Sequence, residues 1–453
     1  MNHVIFLQAI RANPDDDGPR LVYADWLEER GECDRAEFIR VQCELEYAPD
    51  DQRWEALTRR AAELLTAHEE EWLGRWPRRL LHPVRRGFSC MTPELGHVAQ
   101  VTEADLTLPL LLDWELEREN LSGDPGLLRF ATAVRLTDGG ADAMRDLLGS
   151  SDWPRLTSLT ATCAGAREAV ARIDRLPALC RLTVTDSACD AYDAGRLLTT
   201  LPPGRLTALS LACRRLGPTG AAMVARCPTL AGLRELDLSG SDVRDTGARA
   251  IAVSPNFENL RSLRLRNDQI GRPGLTALLS GPVARRLTAL AIGHNFLGRA
   301  SLRVLLDSTV LPQLTELDFG NDLQDDDLAT LSESPAAAGL RRLGLHGHRL
   351  GGDGIRALAE SPVLNRLTHL TLDFAELVIY GSRRVPLTGL AETTGLFRLT
   401  DLELQSVRVR PAMAERLLTT PRLPRLRRLR VPGVDPWEAR EALEWQFGDR
   451  IEF

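Results

Sequence analysis

Residues 233–243 read LRELDLSGSDV, residues 260–270 read LRSLRLRNDQI and residues 287–297 read LTALAIGHNFL. Each stretch places an aliphatic residue at its first, fourth, sixth and eleventh positions. Working outward, the pattern LxxLx followed by an aliphatic residue or Phe recurs from Leu179, Leu206, Leu233, Leu260, Leu287, Leu314, Leu340, Leu367, Leu399 and Leu426, at offsets of 27, 27, 27, 27, 27, 26, 27, 32 and 27. Looser copies begin at Leu156 and Ala131, giving about twelve units. A register held over this length is an internal repeat, in which each unit buries its faces only against its neighbours. Within a unit, period-two alternation turns Leu236 and Leu238 inward and leaves Glu235, Asp237 and Ser239 on the outward face of a strand.

The second half of the unit also repeats. Gly220, Gly247, Gly274 and Gly354 stand at its fifteenth position, and Pro228, Pro255, Pro282, Pro362 and Pro421 at its twenty-third. Between them GARAIAV, GLTALLS and GIRALAE space apolar residues for one helical face. Glycine is expected to open each helix and proline to help end it. Strand followed by helix makes the strands parallel, with the helices on the other side of the sheet.

These units resemble the leucine-rich-repeat consensus L-x-x-L-x-L-x-x-N-x-L. Their length and helix resemble the ribonuclease-inhibitor class. The resemblance implies an α/β leucine-rich-repeat solenoid, a horseshoe with parallel strands concave and helices convex, behind an N-terminal helical domain. The consensus asparagine is Asn295 in one unit but Ser241, Asp268, His348 and Val407 elsewhere. Loss of its buried hydrogen bonds predicts irregular turns in those units.

Composition agrees with a packed aliphatic array. Of 453 residues, 43% are hydrophobic, 26% charged and 5% aromatic, so the chain has enough apolar residues for a core. All 56 basic residues are arginine, which leaves no lysine for Schiff-base or P-loop chemistry. A net charge of -7 disfavours a general polyanion partner and with it nucleic acid. The eight cysteines form no CxxC pair and have no histidines at zinc-finger spacing, so they are expected as small core residues. No run approaches the length of a membrane span. The expected setting is the reducing cytoplasm, without membrane, metal or cofactor.

Both ends depart from the repeat. Residues 3 to 75 predict several helices, and RLVYADWLEERGECDRAEFIRVQ at 20–42 resembles the bacterial repeat-companion domain. That match is carried by Tyr23 to Glu29, Gly31, Arg35 to Arg40 and Gln42, and it implies architecture rather than chemistry. The acidic and aromatic residues of YADWLEE suit helix packing or a docking surface. RRGFSCMT predicts an early strand and LLLDWELEREN a helix. At the other end, Asp435 as N-cap, Pro436 and an amphipathic helix with Trp437 and Trp445 predict a cap closed by a short strand. The expected domains are 1–75 helical, 76–130 N-terminal cap, 131–434 repeats and 435–453 C-terminal cap.

In a repeat of this kind the exposed strand positions are the natural interaction surface. Glu235, Asp237, Arg264, Arg266, Glu316, Asp318, Arg342, His346, His369, Asp373, Asp401 and Glu403 fall there, with both charge signs interspersed. This favours a protein partner. Ala289, Ala291, Gly293, Gly320 and Gly344 would leave a low floor around Glu316 and Asp318 into which a partner's basic side chain could settle. The 32-residue unit adds an insertion near LVIYGSRRVPL with Tyr380, Arg383 and Arg384, and Phe374 is expected to be exposed beside it. Arg428 and Arg430 end the basic run RLPRLRRLR. His346 points outward and His348 inward with no third ligand placed by sequence, while His294 and His369 lie in nonadjacent units, so no metal is expected. No GxSxG, HExxH, phosphate loop or nucleophilic cysteine motif is present. The expected function is a non-enzymatic adaptor or inhibitor. The alternative places ligand sensing or enzymatic chemistry in the N-terminal helical domain.

Overall fold

The computed structural model describes Phe6, residues 17–46, 51–68, 81–85, 88–91, 133–136, 144–145, 148, 153, 156–185, 188–320, 323–346, 351–374, 387–393, 395–405, 409–431, 440, 443, 446–447 and 450–452. Its contacts divide the chain into Met1–Cys180 and Arg181–Phe453.

In the first unit, helices α1 (Gly18–Glu28), α2 (Cys33–Glu46) and α3 (Asp51–Ala67) occupy the region expected to be helical. Tyr23, Ala24 and Leu27 of α1 bury against Ala36, Ile39 and Cys43 of α2, and Phe6 and Trp26 pack on this cluster. Arg40 holds Asp25 at 2.7 Å and Glu28 at 2.6 Å. The YADWLEE motif is therefore spent on joining two helices, since its apolar residues face inward and two of its carboxylates are ion-paired. Strands β1 (Leu81–Arg85) and β2 (Phe88–Met91) form an antiparallel pair, so RRGFSCMT contributes the expected strand. The loosest copies of the repeat also form strands, β3 (Ala133–Leu136) and β4 (Ser158–Ala161), which pair in parallel with Val134 opposite Leu159. Helix α4 (Cys163–Val170) follows, its first turn capped where Gly165 N–H donates to Thr162 Oγ1 at 3.2 Å.

The second unit alternates strands and helices: β5 (Arg181–Thr185), α5 (Ala191–Thr200), β6 (Ala208–Ala212), α6 (Gly217–Arg226), β7 (Glu235–Asp237), α7 (Arg244–Ala252), β8 (Ser262–Arg264), α8 (Arg272–Ser280), β9 (Ala289–Ala291), α9 (Ala300–Leu306), β10 (Glu316–Phe319), α10 (Asp325–Glu333), β11 (Arg342–Leu345), α11 (Gly352–Ala359), β12 (His369–Asp373), α12 (Thr388–Ala391), β13 (Asp401–Gln405), α13 (Pro411–Thr419), β14 (Arg428–Arg430) and β15 (Ile451–Glu452). Strands β5 to β15 pair in chain order, every neighbour parallel. One ladder of aligned residues runs across them, from Leu182 through Leu209, Leu236, Leu263, Leu290, Leu317, Leu343, Leu370, Leu402 and Leu429 to Ile451. The recurring fourth-position leucine is thus one continuous buried row, and register is fixed because a one-residue slip would turn it outward.

The turns after the strands are more regular than the sequence suggests. Asn295 Oδ1 accepts from the amides of Asp268 at 2.9 Å and Ile270 at 3.0 Å, and its amide donates to Leu265 O at 2.6 Å and Ile292 O at 2.9 Å. One unit earlier Asp268 Oδ1 accepts from Ser241 N–H at 2.8 Å and Val243 N–H at 3.3 Å, and before that Ser241 Oγ donates to Leu211 O at 2.6 Å. The expectation of irregular turns at Ser241 and Asp268 is corrected, because either side chain supplies an acceptor or donor at the same place. His348 and Val407 lie outside the described residues.

The repeated glycine also acts differently from expectation. Helix α8 begins at Arg272 and α11 at Gly352, so Gly274 and Gly354 lie inside the first turn. The carboxylate of Asp245 in the preceding unit accepts from Gly271 N–H at 2.7 Å and Gly274 N–H at 3.0 Å, capping the next helix across units. A Cβ on Gly274 would stand 2.5 Å from Asp245 Oδ1, and one on Gly354 would stand 2.5 Å from Asp325 Oδ1. Glycine is there for close approach between units.

Candidate functional site on the outward sheet face

The outward positions of β10 to β14 line a depression of about 430 Å³ that includes Glu316, Arg342, His369, Asp401, Glu403, Arg428 and Arg430. Opposite charges alternate from strand to strand. Arg342 Nε stands 3.8 Å from Glu316, His369 Nε2 3.2 Å from Asp401, Arg428 3.6 Å from Asp401 and Arg430 3.7 Å from Glu403. Thr371 and Gln405 donate to Glu403 at 3.4 and 2.7 Å. Burial pushes the His369 imidazole below its ordinary pKa despite Asp401 beside it. At the other end of the sheet Arg181 holds Glu235 through two contacts of 2.9 and 3.2 Å, which lowers the Glu235 pKa against the opposing effect of burial. Asp237 folds back to accept from Ser239 N–H at 2.9 Å, and Arg264 adds positive potential near Glu235.

The low floor predicted around Asp318 exists, but the chain's own side chains fill it. Arg266 makes an ion pair with Asp318 Oδ2, and His346 Nε2 lies 2.9 Å from the same oxygen. Asp318 and His346 are 3% and 5% exposed, which corrects the expectation of a carboxylate open to a partner's arginine. The glycines make this possible: a Cβ on Gly293 would come 2.3 Å from Asp318 Oδ1, and one on Gly344 would come 3.2 Å from both Asp318 Oδ2 and His346 Nε2.

The row continues past His346. Its Nδ1 stands 3.8 Å from Asp373 Oδ2, and His294 Nε2 stands 3.7 Å from the same oxygen. The two imidazole centroids are 4.6 Å apart. Burial opposes charge on His346, but Asp318 and Asp373 outweigh it and the pKa is raised to about 9. Asp318 is lowered, its burial outweighed by His346 and Arg266. His294 is lowered, by burial first and by His346 second. The sequence reading separated His294 from His346 because their units are not adjacent. The structure brings them together, with His294 in a left-handed backbone at φ 56, as Gly240 and Asn267 are at the same unit position.

Asp373 is 4% exposed and Phe374 fully buried. Phe374 is therefore not an exposed anchor. Its amide donates to Gln405 O at 3.1 Å, extending the strand ladder by one residue, so the ring falls in phase with Leu370 and Leu372 on the inward side. Tyr380, Arg383 and Arg384, the helix expected at LLLDWELEREN and the capping residues Asp435, Pro436, Trp437 and Trp445 lie outside the described residues. No described helix is long and apolar enough to cross a membrane.

The chain is similar in fold to an internalin from Listeria monocytogenes, at 16% identity, 71% of this chain, 87% of that one and a TM-score of 0.32. It is similar to a yeast Rad7 and Elc1 complex at 14% identity, 71% and 80% coverage and 0.40, and to a TLR13–ssRNA13 complex at 16%, 82% and 67%, and 0.29. Superpositions this loose carry no functional argument. No curated protein sequence matches the chain. Residues 233–252, where the repeat is most regular, match the family model described as Leucine Rich repeat, in agreement with the parallel strand-helix fold.

Proposed function

We propose that the chain is a non-enzymatic scaffold or adaptor that recognises a protein partner through the outward sheet face of its repeats. The observation that carries this is the depression over β10 to β14, whose wall alternates arginine and carboxylate in loose, half-exposed pairs. Such pairs are worth about 0–1 kcal/mol each, so a partner of mixed charge exchanges them for its own contacts at little cost. A single-sign polyanion lacks the basic groups to answer Glu316, Asp401 and Glu403. The described N-terminal carboxylates Asp25 and Glu28 are engaged by Arg40, and this favours packing over chemistry there.

We further infer a bacterial, cytoplasmic protein of the ribonuclease-inhibitor-like class, from the 27-residue strand-helix period and the repeat-companion resemblance. Its proposed organisation is 1–75 helical, 76–130 N-terminal cap, 131–434 repeats and 435–453 C-terminal cap. Insertion residue Tyr380 is a proposed second contact.

Capture from lysate by the full chain tests the face. Arg342→Glu combined with Arg428→Glu is expected to abolish capture of proteins retained by the wild type, while Arg303→Glu on helix α9 retains it. Equal capture by all three sinks the assignment.

A further inference from the structure

We propose that His294, His346 and Asp373 form a binding site for one divalent transition-metal ion, with zinc as the reference ion. The three ligand atoms lie within 4.8 Å of one another. Two of the pairs, at 3.7 and 3.8 Å, are close to the roughly 3.3 Å edge of a tetrahedron built on bonds of about 2.0 Å. A contraction of under about half an ångström, within reach of side-chain torsions, closes these two pairs on an ion.

The independent observation is His346 itself. It is 5% exposed, and its Nδ1 has no hydrogen-bond partner although it is buried and aimed at the cluster. A buried polar atom without a partner is costly, and a metal ion would satisfy it. The opposite ring nitrogen is held as metal-binding histidines are held: Nε2 faces Asp318 at 2.9 Å, and Asp318 is braced by Arg266. A carboxylate behind the imidazole fixes its tautomer, keeps the proton on Nε2 and leaves the Nδ1 lone pair for the metal. Binding therefore displaces a proton from Nδ1 to solvent when the imidazole starts charged. Two imidazoles and one carboxylate suit zinc and its transition-metal neighbours better than calcium or magnesium, which prefer all-oxygen sites. His294 has 40% of its side chain exposed, so the ion is reached from the solvent side, with a coordination position left for water or a partner's side chain.

The rival occupant of the same space is a proton, with imidazolium His346 shared between Asp318 and Asp373. Chelator-treated full chain, titrated with zinc chloride in a calorimeter, separates the two. The metal site predicts one equivalent bound and a raised melting temperature. With cobalt(II) it predicts ligand-field bands without a thiolate charge-transfer band, which excludes the cysteines. His294→Gly removes one ligand without strain, because glycine occupies the same left-handed position at Gly240. It is expected to weaken binding at least about tenfold while the metal-free melting temperature holds. Asp373→Asn is expected to weaken it likewise. Absence of a one-to-one complex, or a complex unchanged in both variants, overturns the proposal. Neither result bears on the partner face, which is tested by capture.

Discussion

At the scale of single residues, Asp268 shows how a repeat position tolerates an imperfect side chain. It is fully buried, and its Oδ1 does the work of the consensus asparagine while its Oδ2 has no hydrogen-bond partner. Burial raises its pKa from 3.8 to about 7, against the two amides that donate to it, and the charges of Asp237 and Asp242 push it further up. The folded state therefore prefers the protonated acid. Its contribution to stability is complete below the ordinary carboxylate range and is lost as pH rises through about 7. Asp268→Asn supplies the amide that Asn295 uses in the next unit. The variant is expected to melt above the wild type near pH 8, with the gap narrowing as pH falls and closing only below about pH 4; a pH-independent gap in thermal melts would refute the assignment. Other residue-scale features were not legible in sequence. Asp318 and His346 stand at different positions of different units, so no column of the repeat places them together, and their burial depends on Gly293 and Gly344 having no Cβ. A comparison of positions seven and eight between units would have put His294, His346 and Asp373 in neighbouring columns.

At the scale of elements, strand and helix were legible because leucine spacing and helix periodicity both repeat with the unit. The leucines that define the period are the ones aligned across β5 to β15. The capping between helices was not legible, because it joins Asp245 of one unit to Gly271 and Gly274 of the next, and only the glycine half recurs conspicuously. This makes Gly274 a sharp probe. Gly274→Ala raises intrinsic helix propensity, yet its methyl would stand 2.5 Å from Asp245 Oδ1 and 2.7 Å from Ile270 Cγ2. Overpacking of this kind costs about 1–3 kcal/mol and outweighs the propensity gain of about 1 kcal/mol. Denaturant unfolding should show a net loss of stability in Gly274→Ala, and a gain would show that the caps do not constrain the interface. The end of β12 illustrates the same limit: alternation continues to Phe374, one residue further than the consensus implies, because Gln405 supplies an acceptor on the neighbouring strand.

At the scale of the molecule, a repeat of this kind has two faces with different duties. Inward leucines and packed helices are committed to neighbouring units, and the proposed binding uses the outward strand positions. Sequence alternation put charged residues of both signs on that face, but it also expected Phe374 to be exposed, which the structure buries. It did not show that Arg266, Asp318, His346 and Asp373 are engaged with one another, while Glu316, Arg342, Asp401, Glu403 and Arg428 remain in loose pairs. The face is therefore divided into a buried polar row and an open mixed-charge depression, and the depression is the proposed docking region. Carbodiimide footprinting of the full chain, with and without the partner it captures, measures this most directly. Labelling of Glu316, Asp401 and Glu403 should fall on binding while Asp307 and Asp353 on the helical side stay unchanged; protection confined to Asp307 and Asp353 would contradict the account.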